Sequence, residues 1–103
     1  MSAKKDSLIK KKLDWTLLLM DCRPALKKVC QVLHYAAYDK PNAYGPRNWR
    51  RGKDDDNFKR ELRAAIERHT DAIDNGEQID PESKLPHKAH IICSWLFLLF
   101  YEI

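Results

Sequence analysis

Three of the chain's four histidines, His69, His87 and His90, fall between Arg68 and Ser94. The carboxylates of Glu77, Asp80 and Glu82 lie in the same segment. Imidazole changes charge near neutral pH and serves as acid, base or metal ligand. Carboxylates hold divalent cations or orient a water. His87, His90 and Ser94 stand at i, i+3 and i+7, so on a helix they share one face. His69 sits on an apolar stripe further up the chain. If the two stretches pack as a hairpin, His69 approaches His87 and His90, and Asp80 and Glu82 stand at the mouth. Such a set can bind a divalent metal, position a water or hold a polar ligand. Each histidine taken alone suits a satisfied core or capping role equally well, and HxxH on a helix is a weak signal.

A second group precedes it: Tyr44-Gly45-Pro46-Arg47-Asn48-Trp49-Arg50-Arg51. Arginine forms fork-like bonds to phosphate. Tryptophan and tyrosine stack on bases, and Gly45 permits close backbone approach or a positive φ. These types suit a nucleotide. The competing reading is a structural loop whose Trp49 plugs the core, with Arg50 and Arg51 solvated.

The elements that must position these residues follow from periodicity. Leu13 to Leu19 is apolar but too short to classify. Pro24 suits a first helical turn, and Leu26, Val29, Cys30, Leu33, Ala36 and Ala37 follow at helical spacing, which predicts a helix ending near Tyr38. Asp39 to Asp56 reads as a long connection broken by two prolines and two glycines. Its aromatics predict that it is ordered. A second helix begins near Asp55 or Asp56, carries Phe58, Leu62, Ala65, Ile66, His69 and Ile73 on one stripe, and stops at Asn75-Gly76. After the turn Glu77 to Pro86, with Ser83 as a cap, a third helix runs from about His87 to Glu102. It is apolar almost all round, so it needs cover on every side. The expected fold is mainly all-α: a small helical bundle or hairpin with a long ordered loop, forming a homo-oligomer through the C-terminal apolar helix.

Composition narrows the class. A chain of 103 residues is one domain, read as a basic flexible arm (residues 1–12) and a helical domain (13–103). The net charge of +4 favours anionic partners without naming one. Three cysteines without a CxxC pair argue against a disulfide framework or zinc ribbon and fit a reducing, cytoplasmic setting. Cys93 reads as packing. The longest apolar run, Ile91 to Tyr101, is about half the ~20 residues a membrane span needs, so no membrane is expected. No phosphate-binding glycine loop is present. Lysine and arginine form no single stripe, which disfavours nucleic acid.

The ordered series Lys12-Leu13-Asp14-Trp15, Tyr44-Gly45-Pro46-Arg47-Asn48-Trp49-x-x-Gly52, Arg68-His69, Gly76-Glu77-x-x-Asp80-Pro81-Glu82-Ser83 and His87-x-x-His90 resembles the phage-borne N-terminal domain of dATP/dGTP diphosphohydrolases. The likeness covers residues ~10 to 100. It implies a helical relative of the MazG-like pyrophosphohydrolases, which use magnesium and release pyrophosphate from a nucleoside triphosphate. On that resemblance Asp80, Glu82 and His69 are catalytic, and Glu77, His87 and His90 bind magnesium or another divalent metal. Lys12, Trp15, Tyr44, Arg47, Asn48, Trp49 and Arg68 bind a purine deoxynucleotide or a related one. Lys84 stands where the family has glycine, Ser94 where it has asparagine, and about three residues are inserted before Tyr44. The paired acidic motifs of MazG-like enzymes are absent. Two further readings stand beside hydrolysis: a phage-type protein that sequesters a nucleotide defence signal intact, and a nucleic-acid or protein-binding module.

Overall fold

Among the described residues four α-helices carry the fold. A computed structural model describes residues 12–103; the expected basic arm lies outside them except for Lys12. The helices are α1 (Thr16–Leu19), α2 (Arg23–His34), α3 (Asp56–Asp74) and α4 (His87–Tyr101). A π-helical turn, Tyr35–Asp39, prolongs α2, and a 3-10 helix, Asn48–Asp54, leads into α3. The fold is all-α: no strand occurs among the described residues, only an antiparallel bridge between Ile79 and Pro86. Among those residues no helix is long and apolar enough to cross a membrane.

Helix α3 starts because Asp55 caps it, its carboxylate accepting the Phe58 N–H at 3.0 Å. It ends in a Schellman arrangement: Gly76 N–H donates to Ile73 O and Glu77 N–H to Ala72 O, both at 2.9 Å. Gly76 has φ 89°, a conformation glycine adopts without a Cβ penalty. The chain then reverses. His87 N–H donates to Gln78 O (3.0 Å), and Asp80 N–H donates to Leu85 O (2.9 Å). This closed turn lays α4 against α3 and brings Glu77 back beside His87.

Helix α2 packs across α4, and Val29, Val32, Leu62, Cys93, Phe97 and Tyr101 form the buried core between the three long helices. The π turn leaves the carbonyls of Ala36 and Ala37 free to accept from Tyr44 N–H and Gly45 N–H, each at 3.0 Å. The long loop is thereby pinned to the end of α2. Gly52 is buried, and a Cβ there would collide with the Phe58 ring and the Tyr101 hydroxyl.

One expectation changes. Ser83 does not cap α4: Pro86 holds that position with no side-chain bond, because the Ser83 hydroxyl is engaged inside the turn. Helix α4, apolar almost all round, is not covered on every side within one chain, since Ile92, Trp95, Leu96, Leu99 and Phe100 remain exposed.

Candidate active site

The π turn, the loop and the α3–α4 hairpin enclose a cavity of about 980 Å³. Its apolar wall includes Leu33, Phe58, Leu62 and Phe97, and its polar wall includes Arg68, His69, Asp80, Glu82, His87 and His90. Lys40, Tyr44 and Arg47 stand on the loop side. The hairpin therefore does bring His69 to His87 and His90.

The hydrogen bonds assign the tautomers. His87 is buried, and its Nε2–H donates to Glu77 Oε1 at 2.7 Å. Its Nδ1 lies 2.7 Å from His69 Nδ1, so one hydrogen is shared between two nitrogens. With Nε2–H committed to the carboxylate, neutral His87 accepts at Nδ1 and His69 donates. His69 is left with a free lone pair on Nε2. Burial, then the neighbouring His90 and His87, push the His69 pKa down to about 4. At neutral pH His69 is an uncharged base at the cavity wall.

A second relay fixes His90. The Ser83 hydroxyl donates to Asp80 Oδ2 (2.7 Å) and accepts from Leu85 N–H (3.2 Å). Its remaining lone pair meets His90 Nε2 at 2.7 Å, so His90 donates there and keeps its lone pair on Nδ1. Burial raises the Asp80 carboxyl, but the hydroxyl and N–H of Ser83, with His90 nearby, outweigh it and hold the value low. Burial lowers His90, against the pull of Asp80. The His90 ring stacks on the His69 ring, centroids 4.5 Å apart and 12° from parallel.

The expected metal ligands do not fit a metal. Glu77 and His87 bond each other, both His87 nitrogens are engaged, and His90 spends Nε2 on Ser83. Among the described residues no group of three histidine, cysteine or acidic side chains is placed to hold a metal ion. Asp80 is bound up with Ser83 and lies 3.6 Å from His90 Nε2, while Glu82 accepts from the Tyr35 hydroxyl at 3.2 Å across the mouth.

The nucleotide set divides. Tyr44, Arg47, Trp49 and Arg68 line the cavity; Lys12, Trp15 and Asn48 do not. Trp15 caps the start of α1, which buries none of its own residues, and Lys12 precedes it; both are exposed. Trp49 offers no free face for a base, because it stacks on Phe97 at 4.3 Å and meets Phe100 edge-on at 5.0 Å. The Tyr101 hydroxyl donates to its carbonyl. Arg47 adopts φ 62°, an unfavourable left-handed conformation for arginine.

Sequence reasoning missed Tyr35, Lys40 and the Ser83 relay. The Asp80-x-x-Ser83 spacing is the signal for the last, because a turn aspartate commonly bonds the backbone and hydroxyl that follow it. Burial pushes the Cys93 thiol up to about 12, as expected for a packing residue.

No curated protein and no solved structure matches the chain. A family model described as dATP/dGTP diphosphohydrolase, N-terminal, matches residues 2–103. With the fold and this histidine-lined cavity in place, the chain belongs to the dATP/dGTP diphosphohydrolase N-terminal family.

Proposed function

We propose that the cavity binds a purine deoxynucleoside triphosphate and hydrolyses it, with His69 as general base. The Glu77–His87–His69 relay carries this reading, because it leaves a neutral imidazole with its lone pair free beside Arg68 in a cavity large enough for a nucleotide. A water oxygen attacks the α-phosphorus, and its proton passes to His69 Nε2. The bond to the β-phosphate oxygen breaks, and its electron pair leaves with pyrophosphate. Glu77 stabilises the cation that forms along the relay. Arg68, Arg47 and Lys40 balance phosphate charge, and the base lies against Leu33, Phe58 and Phe97. Magnesium enters as part of the nucleotide complex, and no step is assigned to a resident metal.

Each deoxynucleotide, incubated with magnesium and the protein, is expected to yield monophosphate and pyrophosphate, fastest with a purine. His69→Gln should lower turnover about 10²–10⁴-fold, the usual contribution of a general base. Unchanged turnover in that variant would end the general-base role.

The depressed His69 pKa of about 4 favours a second reading, capture without hydrolysis, since so weak a base gives little driving force. An anionic phosphate close by raises that value on binding. The readings separate on the product: capture returns the nucleotide intact after the protein is denatured.

A further inference from the structure

Helix α4 has a second face that the cavity does not use. Lys88, Ile92, Trp95, Leu99 and Glu102 follow one another at spacings of four, three, four and three residues. That alternation is the seam of a helix that faces another helix. Leu96 and Phe100 widen it, and the five apolar residues each leave 45–55% of their surface exposed. The reverse face is the one that buries His87, Cys93, Phe97 and Tyr101.

Length selects the occupant. From Lys88 to Glu102 the stripe rises roughly 21 Å at 1.5 Å per residue. Among the described residues, helix α1 spans only Thr16–Leu19, one turn, and cannot cover it. Helices α2 and α3 already pack on α4 within the chain. A second α4 has the required length and pattern.

Area and charge agree. At roughly 150–250 Å² per large side chain, half exposure of these apolar residues leaves about 400–600 Å² per copy. A pair hides about 800–1,200 Å² before the Lys88 stem and Ile103 are added, which approaches the ~1,200 Å² low end of stable interfaces. The stripe's own residues are apolar between a lysine at one end and a glutamate at the other, and the Arg63 guanidinium of α3 lies 4.6 Å over the Trp95 ring. Antiparallel pairing sets Lys88 of each copy against Glu102 of the other, whereas parallel pairing sets like charges together.

We propose that this face of α4 is the contact for a second copy of the chain, packed antiparallel about an axis at Trp95. The surface backs onto the helix that carries His87 and His90, so the test reads association and does not depend on turnover.

Sedimentation of the full chain across the micromolar range should show a dimer. Leu99→Asp should leave a folded monomer, with its helical circular dichroism unchanged. Lys88→Glu or Glu102→Lys alone should weaken the dimer roughly tenfold, since each places like charges opposite one another at both ends. The two reversals together should restore it. A wild-type chain that stays monomeric throughout, or a dimer that Leu99→Asp leaves intact, overturns the proposal. A double reversal no tighter than the single ones overturns the antiparallel arrangement.

Discussion

The hairpin turn and the loop before α3 both border the cavity, yet they are built in opposite ways. In the turn, Glu77, Asp80, Ser83, His87 and His90 satisfy one another through short hydrogen bonds. In the loop, Arg47 stands in a left-handed conformation, and Lys40 lies 4.0 Å over the Tyr44 ring. The turn is organised before any ligand arrives. The loop carries cations and is held by the π-turn hydrogen bonds and by two aromatic contacts, Trp49 stacked on Phe97 and Tyr44 edge-on to Phe58. On the proposed function, chemistry falls to the turn and recognition to the loop.

Removing the Trp49 contact tests that division most severely. Trp49→Ala should cost about 3 kcal/mol, the low end for a large aromatic, because Trp49 is only partly buried. Chemical denaturation checks it. Nucleotide binding should fall while the histidine relays keep their tautomers. If the relays collapse with the loop, the two halves are not separable.

Acid should break the turn before the loop. The folded His69 pKa of about 4 lies below its ordinary 6.5, and His90 is shifted the same way. The unfolded chain therefore binds more protons across that window, so stability is full above pH ~6.5 and falls as the pH drops toward 4. Discounted for solvent screening of a partly exposed group, the loss from His69 is about 1–2 kcal/mol. Thermal melts between those pH values measure it. His69→Gln should flatten much of the slope.

The smallest effects compare two left-handed residues. Arg47 (φ 62°) lines the cavity and Lys84 (φ 64°) does not. Glycine at either site should stabilise the fold by about 0.5–1 kcal/mol, relief of strain less the added chain entropy. Only Arg47→Gly should weaken nucleotide binding, on the order of tenfold, as expected for a lost charge-assisted bond. Equal binding losses in both variants would show that the loop strain serves folding alone.

Much of this was legible in the sequence. The apolar stripe of α3 placed His69 inward, the Asn75-Gly76 stop fixed where the hairpin turns, and the family series pointed to the same histidines. The family's glycine at the Lys84 position is explained by that residue's positive φ. What could not be read was direction. Spacing shows that His87 and His90 share a face, but not that Glu77, His69 and Ser83 would engage three of their four nitrogens and leave only His90 Nδ1 with a free lone pair. Nor does an aromatic in a basic loop reveal whether it stacks on a ligand or, like Trp49, on Phe97. Lys12 and Trp15 belonged to the motif series, yet α1 carries them away from the cavity.

The most direct test of the central claim is a pH titration of the histidine ring nitrogens by ¹⁵N NMR in the ligand-free protein. Three outcomes are expected: His69 protonated on Nδ1 and titrating near its folded value of about 4, His87 carrying its proton on Nε2, and His90 on Nε2. A His69 that titrates near its ordinary value of 6.5, or that carries its neutral-state proton on Nε2, would contradict the relay and with it the general base.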